Sequence, residues 1–379
     1  MIHNIDNKTI FFVINYYNKM EKLYKTLQQT IIPTKIINGL KMIYLNKECN
    51  ISFPLATYET PLFASVARGV RVSNKHPILV NVISSCMTRS IIFECKTSYE
   101  CITLKGLLDK EKETQFKTFK QIISQTSKHC IIQDFTMQII GNLLYVRFSF
   151  KTDEASGHNM TTIASNEIAK WIVKNTNFDI QYTSNSGNIC CDKKVSAVNS
   201  ILGRGKNVIA ETTISSESCK NILRTTPEKI VELNIQKNML GSMLAGSICS
   251  GNAHYANMLS AVFLPLGQDI ANIVEGSQGI TYCKVNKNGD LYLSVNLPNI
   301  ICGVIGNGKN IDFVKENLKL IGCLDDDYKP ITNASEKMSA IIACIVLCGE
   351  LSLMSALTNQ DELVKSHIHL ERQTGKYTN

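Results

Sequence analysis

The sequence lacks several features that would assign it to a specialised class of protein. It contains no run of five like charges, and 40 Lys and Arg against 32 Asp and Glu give a net charge of +8. This mild excess gives little support to nucleic-acid binding but suits phosphorylated small molecules such as coenzymes. The 14 cysteines include no C-x-x-C pair, so we expect reduced, mostly buried thiols and no metal site. Residues 10–14 are apolar but too few for a secretory signal, which favours a cytoplasmic protein.

One apolar run, residues 338–357, is long enough to cross a membrane. Gly349, Glu350 and several serines interrupt its apolar surface, which favours a helix buried on all sides in a large soluble core. Asn333 and Glu336 stand before the run at the spacing of a capping pair, so we expect the helix to begin there. We therefore predict no membrane association.

The chain is long enough for two domains, and residues 91–184 show the clearest pattern. A strand, a helix, two strands joined at Gly141-Asn142, a second helix over 161–174 and a final strand follow one another. This βαββαβ order predicts a ferredoxin-like domain. We expect residues 1–90 and 185–379 to form a large, mainly helical domain around the long apolar helix, so the predicted fold class is α+β.

Polar side chains interrupt the otherwise apolar segment 234–269. Lys237, His254, Asn257 and Asp269 stand there among small and aliphatic residues. Burying such groups is costly unless each is paired. They therefore either hydrogen-bond one another inside a helical core or line a binding site, and the residues alone leave both explanations open.

Three further segments contain residues suited to catalysis, and each also has an ordinary structural explanation. Glu59 lies in a segment poor in charge, so it is either an ion-pair partner or an acid. The DKK turn at 192–194 is either a solvated turn or a lysine that stabilises an oxyanion beside a carboxylate. His367 and His369 are either a metal pair or supply one acid near the C-terminus.

Two Gly-rich segments, 154–162 and 303–309, are candidates for phosphate binding. The first precedes a predicted helix, whose free N–H groups and positive dipole end suit an anion. Many helices begin in this way and many turns are rich in glycine, so neither segment is specific alone.

In their order along the chain, these segments resemble 3-hydroxy-3-methylglutaryl-coenzyme A (HMG-CoA) reductases over about residues 53–372. The matching pieces are ATYETPLFAS, EASGHNM, DKK, GRGK, the block from NIQKNMLGS to GQD, GVIGNG, GELSLMSAL and LVKSH. Several short matches in the family's order are far more specific than any one of them. The resemblance is closer to class I, the NADPH-using branch.

The resemblance implies reduction of HMG-CoA to mevalonate and free coenzyme A, with two NADPH consumed. The catalytic residues that it implies are Glu59, Lys193, Asp269 and His367. Lys193 would stabilise the oxyanion formed by the first hydride transfer, and Asp269 would keep that lysine charged and oriented. His367 would protonate the leaving thiolate, and Glu59 would protonate the aldehyde oxygen during the second reduction.

The resemblance also implies binding residues, a homodimer or larger homo-oligomer with its active site between subunits, and no metal. The implied substrate-binding residues are Arg89, Ser186, Asp192, Lys194, Lys237, His254 and Asn257. Those implied for coenzyme A are Ser65 and Arg68. Those implied for the nicotinamide cofactor are Glu154, Gly157, His158, Asn159, Gln268, Gly306 and Arg372.

The chain departs from the family pattern at a few positions, none of which removes a catalytic group. The family's ATTEGCL is ATYETPL here, which places Pro61 after the glutamate. The family's DAMGMN is EASGHN, so His158 replaces an apolar residue, and GTVGGGT becomes GVIGNGK. Gln373 stands where regulated members have a phosphorylatable serine.

Two other functions stay open at this point. One is the NAD-dependent oxidation of mevalonate, and the other is a non-catalytic protein that binds coenzyme A. A basic residue for the 2′-phosphate would favour NADPH over NADH, and Arg372 and Lys151 are the candidates. All four implied catalytic residues are retained, and a protein that only binds coenzyme A would not need them.

Overall fold

The computed structural model describes residues 30–359 together with Glu362 and Val364, and its elements form a mixed α/β fold. The strands are β1 (Thr34–Tyr44), β2 (Lys47–Ala56), β3 (Ile78–Cys95), β4 (Ile131–Ile140), β5 (Leu143–Lys151), β6 (Ile180–Ser184), β7 (Gly205–Ile214), β8 (Ser250–Gly251), β9 (Gly279–Val285) and β10 (Leu291–Ile300). The α-helices are α1 (Pro61–Ser73), α2 (Ser98–Glu113), α3 (Lys117–Ser124), α4 (His158–Asn175), α5 (Ala197–Leu202), α6 (Ser216–Ser218), α7 (Pro227–Leu233), α8 (Ser242–Leu244), α9 (Tyr255–Phe263), α10 (Ile273–Gly276), α11 (Asp312–Leu320) and α12 (Ala334–Leu357). Two π-helical segments, Cys219–Leu223 and Asn234–Gly241, and the 3-10 turn Ile270–Asn272 lie between them.

Strand β3 belongs to two sets of strands because it is 18 residues long. Its first half pairs with parallel β1 and antiparallel β7, within the order β2-β1-β3-β7-β10-β9-β8. Its second half pairs antiparallel with β5 and β6, and β4 pairs with β5, so the order there is β4-β5-β3-β6. The two strands predicted on either side of Gly141 are confirmed as β4 and β5.

Two clusters of buried apolar side chains stabilise these elements. The buried members of one cluster lie between Ile91 and Ile180, and Phe148 packs there edge-to-face against Phe119 and Phe135. The other cluster surrounds α12 and includes side chains from β1, β2, β7 and β10. Each cluster draws on a separate part of the chain.

Helix α12 is the centre of the larger cluster. It is long and apolar enough to cross a membrane by composition, but 89% of its most apolar window is buried inside the protein. Helix α1 packs so closely on α12 that a Cβ atom at Gly69 would overlap the main chain of Cys348. The prediction of a long buried core helix is confirmed.

The predicted cap of α12 is wrong. Asn333 has a left-handed backbone (φ 57°) and its side chain accepts no capping hydrogen bond. The carboxylate of Glu154 instead accepts from the N–H groups of Ala334 and Ser335, at 3.1 and 2.6 Å. A distant carboxylate therefore satisfies the free donors of the first turn and complements the helix dipole.

The large region, predicted to be mainly helical, also contains strands that the sequence analysis did not predict. Strands β7, β9 and β10 lie within residues 205–300 and form one end of the sheet with β8. Side chains in β7 and β10 alternate between buried and partly exposed positions, which is the period of a strand with one covered face.

Candidate active site

Lys193 and Asp269 form an ion pair at the centre of the site. Lys193 Nζ lies 2.8 Å from Asp269 Oδ2, and both side chains are nearly half exposed. The hydrogen bond that Lys193 donates to Asp269 is the main cause that raises the pKa of Lys193. Burial acts to raise the pKa of Asp269, but the hydrogen bonds from Lys193 and from the N–H of Ala271 outweigh it and lower the value. The lysine is thus held as a cation and the aspartate as an anion.

A buried network lies directly behind this pair. The Arg204 guanidinium is 1% exposed and contacts two carboxylates, Glu275 Oε1 at 2.7 Å and Asp192 Oδ1 at 2.9 Å. Glu275, which is 0% exposed, also accepts a hydrogen bond from the main-chain N–H of Lys193 at 3.1 Å. Asp192 was predicted from sequence, but Arg204 and Glu275 were not assigned roles.

His158 joins the EASGHN segment to this network. Its Nε2 lies 3.8 Å from Asp192 Oδ1 and has no hydrogen-bond partner among the described residues. Burial, with the nearby charge of Arg204, lowers the pKa of His158 to about 4. The imidazole is therefore neutral near pH 7, and its free nitrogen faces the site.

The two Gly-rich segments lie side by side. The carbonyl of Glu154 accepts hydrogen bonds from the N–H groups of Val304 and Ile305, at 2.8 and 3.3 Å. Gly157 starts α4 with φ 92°, and a Cβ atom there would overlap Thr152. The predicted phosphate-binding turn and the second Gly-rich turn thus form one surface, next to a free helix N-terminus.

Other residues predicted for the cofactor occupy this surface in different ways. The Oε1 of Gln268, a buried side chain, accepts from the N–H of Gly303 at 3.0 Å. Asn159 is exposed and Gly306 has φ 114°. The carboxylate of Glu154 is already engaged in the α12 cap, so this residue meets the surface through its main chain.

A separate cleft of about 520 Å³ contains the residues predicted for coenzyme A and part of the substrate site. Glu59 accepts a hydrogen bond from Asn257 Nδ2 at 3.2 Å. Ser65 and Arg68 both bond to Ser352, each at 3.0 Å. The cleft lining includes Glu59, Ser65, Arg68, His254 and Asn257.

Two arginines of this cleft were missed by the sequence analysis. Arg71 and Arg224 line it together with Arg68. Arg71 could have been found, because it lies one helical turn after Arg68 and so shares its face of α1. The guanidinium group of Arg68 is held by Ser352 and Glu362. Guanidinium groups bind phosphates through paired hydrogen bonds, so Arg71 and Arg224 beside it suit a polyphosphorylated ligand.

The loop that carries His254 is fixed by Glu350, a buried acidic residue of α12. The side chain of Glu350 is fully buried. Its two oxygens accept from the N–H groups of Ala253 and His254, at 2.6 and 3.2 Å. The buried carboxylate is thereby satisfied, and it holds the edge of the arginine-lined cleft in place.

Several other predicted substrate residues make hydrogen bonds that involve a main-chain carbonyl. Arg89 Nε donates to the carbonyl of Asn185 at 2.8 Å, and Lys194 Nζ donates to the carbonyl of Asp192 at 3.0 Å. The carbonyl of Ser186 accepts from Ser184 Oγ at 3.1 Å, and Lys237 is exposed on the second π-helical segment.

The structure does not bring all the predicted residues into contact. Within residues 30–359, no hydrogen bond or ion pair joins Glu59 to Lys193 or Asp269. His367 and Arg372 lie outside the described residues. In the described part of the chain, no group of three or more His, Cys, Asp or Glu side chains could hold a metal ion.

Comparison with known proteins shows the family to which the chain belongs. The sequence model of one family, described as hydroxymethylglutaryl-coenzyme A reductase, matches residues 30–372. The chain belongs to the HMG-CoA reductase family. The match includes all the segments whose order carried the resemblance.

Curated relatives agree with the family assignment. An HMG-CoA reductase of Aeropyrum pernix is 40% identical over 320 residues, which is 84% of this chain and 74% of that protein. One from Pyrococcus abyssi is 38% identical over 342 residues, 90% of this chain and 82% of that protein. A solved class II HMG-CoA reductase of Streptococcus pneumoniae, bound to NADPH in open conformations, superposes with a TM-score of 0.67 at 15% identity, over 93% of this chain and 98% of that one. This last likeness supports the reductase fold.

Proposed function

We propose that the protein reduces HMG-CoA to mevalonate and free coenzyme A, with two NADPH as reductant. The observation that carries this proposal is the Lys193–Asp269 pair, 2.8 Å apart, in a member of the reductase family. A thioester carbonyl that receives a hydride becomes an oxyanion, and a lysine that is held as a cation stabilises that charge. Asp269 contributes by keeping Lys193 protonated and pointed at the reacting oxygen.

The remaining proton transfers are assigned to Glu59 and His367. The leaving coenzyme A thiolate needs a proton, which His367 supplies. The intermediate aldehyde then needs a proton on its oxygen, which Glu59 supplies from the exposed edge of the cleft. The hydrogen bond from Asn257 keeps the Glu59 side chain at that edge.

NADPH, when bound, supplies a hydride in each of the two reductions. The surface formed by the two Gly-rich segments fits such a group, because it combines a helix N-terminus at Gly157 with the unpartnered Nε2 of His158. His158, Asn159, Gln268 and Gly306 are the residues proposed to hold it, with Glu154 contributing through its main chain and Arg372 contacting the 2′-phosphate.

Coenzyme A is proposed to lie in the arginine-lined cleft. Its phosphates match the guanidinium groups of Arg68, Arg71 and Arg224, and its length reaches from there toward Glu59. Binding this handle orients the thioester, which lowers the entropic part of the barrier.

A two-domain division is proposed from the strand order. Residues 91–184 contain β4, β5, β6, α2 to α4 and the end of β3, which together give the antiparallel order β4-β5-β3-β6, and their buried side chains form a separate cluster. This order and connectivity support a ferredoxin-like cofactor domain inserted in a larger domain made from residues 1–90 and 185–379.

A homodimer is proposed to complete the active site. An exposed apolar surface is built from Ile235, Leu240, Met243, Leu244 and Ile248. Lys237, a predicted substrate residue, is exposed on the same segment. Apolar side chains exposed together favour association, so a second copy would bring Lys237 into its partner's site.

Assignment to class I and a cytoplasmic location are parts of the same proposal, supported by the identity to archaeal relatives.

The test is NADPH oxidation by the purified chain in the presence of HMG-CoA, followed by absorbance and by release of free thiol. We expect oxidation that depends on HMG-CoA and that Lys193→Ala abolishes. Lys170→Ala is the matched control, because Lys170 is an exposed lysine that also pairs with a carboxylate, that of Glu167. Parallel assays with NADH, and with mevalonate, coenzyme A and NAD, test the oxidative alternative. Binding of HMG-CoA without any oxidation would instead support a non-catalytic relative.

A further inference from the structure

The loop that presents Lys193 has an unusual backbone. Asn188, Cys191 and Lys193 all have left-handed φ angles, of 57°, 46° and 55°. Residues other than glycine disfavour the left-handed region, because their Cβ atom approaches the main chain too closely. Three such residues within six positions persist only when their surroundings impose the conformation.

Glu275 is the group that holds the Lys193 end of this loop. Its Oε1 accepts three hydrogen bonds, from the N–H of Lys193 at 3.1 Å, from Arg204 Nη1 at 2.7 Å and from Asn272 Nδ2 at 3.0 Å. Arg204 reaches the preceding residue as well, since its Nη2 lies 2.9 Å from Asp192 Oδ1. Two consecutive residues of the strained loop thus connect to one buried ion pair.

Stability alone does not account for this ion pair. Arg204 and Glu275 are 1% and 0% exposed, so both charges have lost their hydration. An ion pair buried in this way is often no more stabilising than apolar residues of the same volume. Among the described residues, Glu275 Oε2 and Arg204 Nε also have no hydrogen-bond partner. This ion pair costs free energy of desolvation and fixes one position of the main chain. Both properties are consistent with a role in positioning a reacting group.

We infer that Glu275, oriented by Arg204, is a positioning residue that fixes the main chain of Lys193 so that its ammonium group faces Asp269. The inference rests on the proposed reductase function and assigns a role to the arginine of the GRGK segment. It predicts that Glu275 acts on the chemical step and leaves substrate and cofactor binding unchanged.

A second link joins Glu275 to the lysine through charge. The pKa of Lys193 is raised chiefly by its hydrogen bond to Asp269, and Asp192 and Glu275 add to that increase. Another ionisable group beside this network, His158, is held neutral by burial and by Arg204. Removing the charge of Glu275 should therefore lower the pKa of Lys193 even if the loop keeps its shape.

The test compares Glu275→Ala, Glu275→Gln and a control of altered packing, Phe135→Leu, which is buried in the cluster of residues 91–180. Kinetics with HMG-CoA and NADPH are measured from neutral to alkaline pH, after circular dichroism has established folding. We expect kcat of Glu275→Ala to fall about 100-fold, which is the loss expected when a reacting group is displaced by about 1 Å. Neither the KM for HMG-CoA nor the KM for NADPH should change much. Glu275→Gln keeps an acceptor for the Lys193 N–H, so it should retain more activity.

The alkaline limb of the kcat profile separates positioning from a merely structural role. Both Glu275 variants should lose activity at lower pH than the wild type, whereas Phe135→Leu should keep the wild-type profile. An unmoved alkaline limb in Glu275→Gln, or a kcat of Glu275→Ala equal to that of the control, overturns the inference. If Glu275→Ala does not fold, the Gln variant alone decides. Wild-type protein that fails to oxidise NADPH overturns the proposed function instead, so the two failures are distinguishable.

Discussion

The Lys193 centre and the arginine-lined cleft hold their charges in opposite ways. At the Lys193 centre every charge has a counter-charge at contact distance, and Arg204 and Glu275 are buried. In the cleft, Arg68 pairs with Glu362, but Arg71 and Arg224 have no carboxylate partner among the described residues. The first region is therefore organised before substrate arrives, as electrostatic catalysis requires. In the second region, the phosphates of the proposed coenzyme A ligand would supply the counter-charge that Arg71 and Arg224 lack.

Asp269→Asn should give the largest effect and would test the first half of this comparison. The amide still accepts a hydrogen bond from Lys193, but the charge that raises the pKa of that lysine is gone. We expect kcat to fall about 100- to 1,000-fold, the usual cost of losing one element of oxyanion stabilisation. The KM for HMG-CoA should change little, because the cleft is untouched. Single-turnover NADPH oxidation measures this directly, and a raised KM with unchanged kcat would contradict it.

Arg71→Ala should give the converse result in the cleft. Loss of one charged hydrogen bond costs about 1.5 to 3 kcal/mol, so the KM for HMG-CoA should rise about 10- to 100-fold. We expect kcat at saturation to stay near the wild-type value, since Lys193 and Asp269 are not contacted. Lys75→Ala, an exposed lysine just after α1, is the control. Equal effects of the two substitutions would argue against a specific phosphate site at Arg71.

Glu154→Ala tests whether this residue acts through the α12 cap or through the cofactor. Loss of a cap costs about 0.5 to 2 kcal/mol, so the free energy of unfolding should fall by that amount in urea denaturation. Glu154→Gln keeps one acceptor oxygen and should lose less. The KM for NADPH should change little, because the carboxylate is occupied by the helix. A large rise in that KM with no loss of stability would restore the direct cofactor role.

The sequence was sufficient to predict the parts of the molecule that depend on local pattern or on residue type. Strand β5 alternates between apolar and polar side chains, and α12 has a long apolar run, so both were predicted. Lys193 and Asp269 were implied by the resemblance, and their contact agrees with the roles given to them.

Long-range contacts explain most of what the sequence analysis missed. Glu154 caps a helix 180 positions away in the chain, and Arg204 meets Glu275 across 71 positions. No local periodicity carries such information. Strand β7 was missed for a different reason, since Ala210 and Thr212 occupy its covered face and give only a weak apolar alternation.

The smallest expected effect concerns pH and the stability of the Lys193–Asp269 pair. The pKa of Asp269 is lowered from its ordinary value of 3.8, so its contribution is present above that pH and is lost as pH falls through the folded value. The pKa of Lys193 is raised from 10.5, so its contribution is present below that pH and is lost as pH rises through the folded value. Because both side chains are nearly half exposed, we expect about 0.2 to 1 kcal/mol.

Urea denaturation of the wild type and Asp269→Asn at a series of pH values measures this contribution. The difference in the free energy of unfolding should be constant between the two pKa values and should shrink at either extreme. It should also shrink at high salt, since exposed charges are screened. If the difference in the free energy of unfolding persists in strong acid, packing and not charge accounts for the contribution of Asp269. The Lys193 centre would then not be stabilised electrostatically.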